Sequence, residues 1–435
     1  MKTLILDGSH ANDPLSGRVV ASLEASLHAR AWDAQTIVLR EQKIGNCAGD
    51  FFCWVKSPGV CNTDDDNRII AEQVIQSDLV IYLTPVTFGG FSSALKRMVD
   101  HQIQNISPFF TTIQGETHHQ PRYNRYPDIL VIGWMDELEV QTEAIFRHLV
   151  QRMSINMNSK TTVTGLITGQ PSDSDLSTQA ESWLDAIAHA SSSPVPALPS
   201  QTFSSAVAAP IKRAVLLVGS PRTKKSTSAS LGEYLFEQLN QNGVETQTFH
   251  IYTTLNSPAK MDKLFAELDS ADLVTLSFPL YVDTLPAPVI SMLEKIALYR
   301  KEKGIHFHFS AIANCGFPEA YHTDNALAIC AEFARQNGFG WLGGLALGAG
   351  QGIVSGTPLN ELDGRAIPIK KALELAAESL VRGKPISQSA RSLLARPIIP
   401  GWLYKLMGGF GWKQMAKNYG VEKKIRAKPY QNDPN

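Results

Sequence analysis

Two stretches decide the fold: Lys2-Thr-Leu-Ile-Leu-Asp-Gly-Ser9 and Arg213-Ala-Val-Leu-Leu-Val-Gly-Ser220. Each is a short apolar run that closes on Gly-Ser. A second pair follows at a similar distance, where Ser77-Asp-Leu-Val-Ile-Tyr-Leu-Thr-Pro85 is echoed by Ala271-Asp-Leu-Val-Thr-Leu-Ser-Phe-Pro279. A strand ending on a glycine-hydroxyl loop and a strand ending on proline thus occur twice, which points to two similar domains in tandem. From residue 186 to 211 the chain carries no charge and is rich in Ser, Pro and Ala, the composition of a linker. The expected organisation is domain 1 at 1–185, linker at 186–211, domain 2 at 212–384 and an extension at 385–435.

Within each half, apolar runs alternate with helical spacing, as in Val19, Val20, Leu23 and Leu27, or Leu231, Leu235, Phe236 and Leu239. Short buried strands alternating with amphipathic helices form a parallel sheet covered on both faces. Strands are expected near 3–7, 35–39, 78–84, 128–134 and 161–167, and near 213–218, 244–251, 272–277, 306–313 and 341–347. The fold class is therefore α/β: two flavodoxin-like, doubly wound domains, each with a five-stranded parallel sheet. Ligands of such sheets lie at the carboxyl ends of the strands, where the strand order reverses.

Composition narrows the function. The chain has 435 residues, 43% hydrophobic and 19% charged, with a formal charge of −1, so it offers no positive field for nucleic acid and little acidity for steering as an electron carrier. Met1–Gly8 has too short an apolar run for a secretory signal. The uncharged stretch near 336–360 holds eight glycines and cannot form a membrane-spanning helix. Five cysteines without a signal fit a reducing compartment, and the expected location is cytoplasmic.

The loop Gly219-Ser-Pro-Arg-Thr-Lys-Lys-Ser-Thr-Ser228 precedes a helix and gathers hydroxyls, backbone N–H groups and three cations, the makings of a phosphate site, although an ordinary strand-to-helix turn with a Ser/Thr cap reads equally well. Its counterpart, Gly8-Ser-His-Ala-Asn-Asp-Pro-Leu-Ser-Gly-Arg18, keeps Ser9 and Ser16 but gains Asp13, which makes it the poorer anion site. Neither has dinucleotide-binding Gly-x-Gly-x-x-Gly spacing. After the third strand, Thr84-Pro-Val-Thr-Phe-Gly-Gly-Phe-Ser-Ser93 joins two aromatics to a Gly-Gly pair, so that Phe88 or Phe91 can cover a planar heterocycle. Tyr281 stands at the equivalent place in the second half.

Together with Cys53-Trp-Val-Lys-Ser-Pro-Gly-Val-Cys61, Asp64-Asp65 and Gly115-Glu-Thr-His-His-Gln-Pro-Arg-Tyr123, these loops resemble the NAD(P)H-dependent FMN reductase family, in its iron–sulfur-flavoprotein-like branch, over about residues 1–180. The second half, through Gly-Ser-Pro-Arg222, Phe278-Pro-Leu-Tyr-Val-Asp283 and Asn314-Cys-Gly-Phe-Pro-Glu319, is similar to flavodoxin-like FMN reductases of the same superfamily. The resemblance implies FMN, with NAD(P)H as co-substrate. It carries phosphate contacts onto Ser9 and Ser16, and onto Ser220, Arg222, Ser226 and Thr227. Ring contacts fall on Pro85, Thr87, Phe88, Gly89 and Gly90, and on Pro279, Leu280 and Tyr281. No catalytic acid or base is nominated, since hydride transfer to flavin depends on orientation.

Iron–sulfur members carry four cysteines in a compact run, whereas here Asp50 stands among Cys47, Cys53 and Cys61, so no metal is expected. Cys315 is placed near flavin and Cys330 in helix packing. His118 and His119, beside Arg122, Tyr123 and Arg125, read as a solvated loop or as a grip on a nicotinamide phosphate or an acidic acceptor. The extension at 385–435 carries nine Lys or Arg against two acids, and is expected to fold back on domain 2, with contact to an anionic membrane the less favoured alternative. The function expected is an FMN-dependent NAD(P)H oxidoreductase that reduces a quinone, a flavin or another small acceptor. An electron-transfer flavoprotein without direct NAD(P)H use, or a non-catalytic tandem scaffold, are the rivals, and a homo-oligomer stays open.

Overall fold

The computed structural model describes residues 1–203 and 209–431, so residues 204–208 of the expected linker and 432–435 of the extension lie outside the described residues. The chain divides into two compact units, one of residues 1–197 with 405–435, the other of residues 198–404.

The first unit holds strands β1 (Lys2–Asp7), β2 (Asp33–Val38), β3 (Leu79–Pro85), β4 (Ile106–Ile113), β5 (Glu116–Pro121), β6 (Asp128–Met135) and β7 (Thr162–Thr168). Five of them form a sheet in the order β2-β1-β3-β6-β7, with every pairing parallel. The second unit holds β8 (Arg213–Val218), β9 (Glu245–His250), β10 (Leu273–Pro279), β11 (His308–Asn314) and β12 (Gly340–Leu347), ordered β9-β8-β10-β11-β12. Both follow the flavodoxin-like order expected from the sequence, and the order reverses beside β1 and beside β8. The central strands are buried along their length, as Leu4–Leu6, Leu79–Leu83 and Ala214–Val218 show, because helices cover both faces of a parallel sheet.

The glycine of each Gly-Ser pair has a steric reason. A Cβ on Gly8 would sit 2.4 Å from the Leu95 Cβ, and one on Gly219 would sit 2.5 Å from the Val289 Cγ2. In both units the helix after the third strand crosses the first loop at a distance only glycine permits.

Two elements depart from expectation. The segment around His118 and His119, read as loop, belongs to an antiparallel hairpin, β4–β5, turning at Gln114 and Gly115, both with positive φ. The C-terminal residues from Lys405 pack on the first unit instead of the second. There Trp412 meets Phe51 and Trp54 edge-on at 5.2 and 5.1 Å, Arg426 lies over the Phe109 ring, and buried Arg122 donates to the carbonyls of Ile425 and Ala427. The helix Gly401–Asn418 leaves Leu406, Met407 and Phe410 exposed. Among the described residues, no helix is long and apolar enough to cross a membrane.

Candidate functional site

In the second unit β8 ends at Val218, and eight residues separate it from the helix Thr227–Gln241. Ser226 caps it: its Oγ accepts from the Ala229 N–H and donates to the Thr223 carbonyl. Thr227 Oγ1 donates to the Gly350 carbonyl, and the buried Ser220 hydroxyl accepts from the Arg222 N–H at 3.4 Å. The first helical turn carries no acid, and the N–H groups of Ser226, Thr227 and Ser228 have no intrahelical acceptor. Arg222, Lys224 and Lys225 lie in the loop that leads into this positive helix end, and Arg222 Nη1 donates to Gln351 Oε1 at 3.4 Å. Two glycines bring backbone close to it. A Cβ on Gly356 would lie 2.6 Å from the Lys225 carbonyl carbon, and one on Gly350 would lie 3.1 Å from the Thr227 Cγ2. These residues fit a phosphate group, and Ser220, Arg222, Ser226 and Thr227 are brought together as the sequence implied.

The first-unit counterpart is filled by its own side chains. Asp13 accepts through Oδ1 from the N–H groups of Leu15 and Ser16, at 3.0 and 3.1 Å, at the start of the helix Ser16–Ala29, and through Oδ2 from the Trp134 indole at 3.0 Å. Behind it, Ser16 Oγ donates to buried Asp7, Ser9 Oγ donates to Ser16 Oγ, and Arg40 donates to both Ser9 Oγ and Asp7. Ser9 and Ser16 do meet, but in a closed network with two carboxylates. A carboxylate already stands at this helix start, whose second-unit equivalent has no acid in its first turn. The partners Arg40 and Trp134, distant in sequence, had no local signal.

The loops after the third strands share one backbone design. Thr87 and Gly90 exchange hydrogen bonds across Phe88 and Gly89, both with positive φ; Tyr281 and Thr284 do so across Val282 and Asp283, again with positive φ. Val86 donates to the Trp134 carbonyl, and Leu280 donates to the Asn314 carbonyl. Pro85, Thr87, Phe88, Pro279, Leu280 and Tyr281 are partly exposed at these strand ends, while Gly89 and Gly90 are buried. Phe91, offered as an alternative ring cover, is instead fully buried against Phe146.

Four other candidates are held in packed surroundings. Cys315 is buried, its thiol turned toward the carbonyls of Phe317 and Glu319, and burial pushes it up to about 12. Cys330 is fully buried in the helix Asp324–Gln336, as expected of packing. His118 and His119 are not in a solvated loop: they lie on β5, where His118 is buried between Asn156 and Glu116, and His119 is held against the rings of Trp54 and Phe110.

Residues 1–112 match the family model described as NADPH-dependent FMN reductase, and residues 212–307 match the flavodoxin-like fold. No curated protein matches the chain. Solved structures similar to it include the NAD(P)H:quinone oxidoreductase from Methanothermobacter marburgensis, at 13% identity over 40% of this chain and 96% of that one, TM-score 0.29. Another is an FMN-dependent NADH-azoreductase from Bacillus anthracis in complex with FMN, at 12% identity over 39% of this chain and all of that one, TM-score 0.28. At such scores the likeness bears on neither reaction nor substrate. The chain therefore carries, in tandem, a segment similar to the NADPH-dependent FMN reductase family and a segment similar to the flavodoxin-like fold.

Proposed function

We propose that the protein is an FMN-dependent NAD(P)H oxidoreductase that passes electrons to a quinone, a flavin or another small acceptor, with its FMN in the second unit. The observation that carries this reading is the helix start at Ser226–Ser228, rich in N–H donors and cations and without a carboxylate. Arg222 and the N–H groups of Ser226, Thr227 and Ser228 hold the phosphate. Leu280 and Tyr281, on a turn pinned to Asn314, orient the ring and shield it from water. Bound FMN supplies two-electron acceptor and donor chemistry. The family of the first segment supports use of NAD(P)H. For the first unit, the self-satisfied network of Asp7, Ser9, Asp13, Ser16 and Arg40 favours a scaffold role.

The test is to reconstitute the purified chain with FMN, count flavin per chain, and follow NADPH oxidation with a soluble quinone. About one equivalent and FMN-dependent turnover are expected. A chain that takes up no FMN refutes the reading, and two equivalents refute the assignment to the second unit alone.

A further inference from the structure

A cavity in the first unit is lined by Cys47, Cys53, Cys61 and His101, with Asp50 and Phe51 at its edge. Its volume is about 30 Å³, room for about two waters. Cys61 Sγ lies 3.6 Å from His101 Nδ1, and His101 Nε2 lies 2.9 Å from the Gly45 carbonyl oxygen. A carbonyl only accepts, so Nε2 carries the hydrogen, and Nδ1 is the atom that takes or shares the thiol proton. Burial alone works to raise the Cys61 pKa, but the hydrogen bond and charge of His101, helped by Thr63, outweigh it and bring the thiol below its ordinary value. Burial likewise disfavours the His101 cation, yet the Cys61 and Gly45 contacts leave it favoured. The other two sulfurs go the opposite way: burial, with the Asp100 charge, pushes Cys47 up to about 12, and burial pushes Cys53 well up. Phe51, at φ 60° in this loop, is held there by stacking on Trp54 at 5.2 Å.

We propose that Cys61, paired with His101, is a thiolate that reacts with hydrogen peroxide and is resolved into a disulfide by Cys47 or Cys53 in the same cavity. The Cys61 sulfur attacks one peroxide oxygen, an S–O bond forms as the O–O bond breaks, and the departing oxygen takes the His101 Nδ1 proton and leaves as water. The sulfenic acid then condenses with the second thiol, forming the S–S bond and releasing a second water. The thiols are oxidised by two electrons and the peroxide is reduced. Hydrogen peroxide, with two oxygens, matches the room for about two waters beside these thiols.

The experiment treats the full FMN-reconstituted chain with peroxide in the presence of dimedone and maps the five cysteines by mass spectrometry. Cys61 is expected to be labelled at least tenfold faster than Cys315 and Cys330, and without dimedone a peptide cross-linked from Cys61 to Cys47 or Cys53 should appear. His101→Gln should slow Cys61 labelling about tenfold while FMN content is unchanged. Equal labelling of all cysteines, or a Cys61 that over-oxidises without forming the cross-link, overturns the proposal. So does iron or zinc in the isolated protein with cysteines that react only after chelation. The wild-type labelling pattern decides the matter even if the variant does not fold, and it is independent of where FMN binds.

Discussion

Replacing Asp13 by alanine tests whether a carboxylate of the chain fills the first-unit anion site. The side chain accepts three hydrogen bonds, two from the start of a helix and one from the Trp134 indole. Losing a helix cap costs about 1 kcal/mol. Leaving an indole N–H without a partner on a residue only 7% exposed costs a further 1–3 kcal/mol or so. The variant should thus lose about 2–4 kcal/mol in the transition that melts the first unit, a fall of roughly 5–10 °C at this size. If the pocket is an anion site, inorganic phosphate should restore part of the loss, up to about 2.7 kcal/mol at a hundred times its dissociation constant. Thermal melts of wild type and variant, in phosphate and in an amine buffer, read both effects. A loss under about 0.5 kcal/mol, or a gap between the two proteins that phosphate does not narrow, would refute the reasoning.

In the second unit, Ser226→Ala removes the cap that orders the first helical turn, at a stability cost of about 1 kcal/mol; FMN affinity, followed by flavin fluorescence, should weaken about tenfold, and an unchanged affinity would move the site elsewhere. Val282 holds φ at 45°, strained for a β-branched residue, so Val282→Gly should raise the second unit's stability by about 1 kcal/mol in urea denaturation, and a fall would show that Val282 side-chain packing outweighs the strain. Burial holds His119 at about 3, below its unfolded value. The unfolded chain therefore binds a proton there from about pH 6.5 downward while the folded chain does not, and stability falls with acidification at up to about 1.4 kcal/mol per pH unit between those values. His119→Phe should flatten that slope in denaturation curves between pH 6.5 and 4, and a slope unchanged by the substitution would contradict it.

The strands and their order were legible because parallel strands buried on both faces write continuous apolar runs, as in Leu79–Leu83 and Leu273–Phe278. The hairpin β4–β5 was not, since Glu116-Thr-His-His-Gln-Pro121 has no apolar alternation and is held by partners remote in sequence, such as Asn156 for His118. The docking of the C-terminal residues was hidden for a similar reason. Buried Arg122 read as part of a solvated loop, and its acceptors, the carbonyls of Ile425 and Ala427, leave no mark in side-chain identity. At the candidate site, the hydroxyl and glycine positions could be read locally, but whether their donors were already satisfied could not.

That difference separates the two halves of the repeat. Both units end their first strand on Gly-Ser beneath a crossing helix, and both turn their third loop through two residues of positive φ, so backbone geometry alone makes them equivalent. What distinguishes them is where the negative charge comes from. A helix start needs an anion or acceptor for its N–H groups; in the first unit Asp13 provides one intramolecularly, with no translational entropy lost on binding, and any incoming phosphate must displace it. In the second unit the first helical turn carries no acid, and the loop before it supplies Arg222, Lys224 and Lys225. An intramolecular carboxylate at effectively high local concentration outcompetes a dilute phosphate, so Asp13→Ala, with the shared backbone untouched, should raise the flavin count of the reconstituted chain from about one to about two, and an unchanged count would contradict this account.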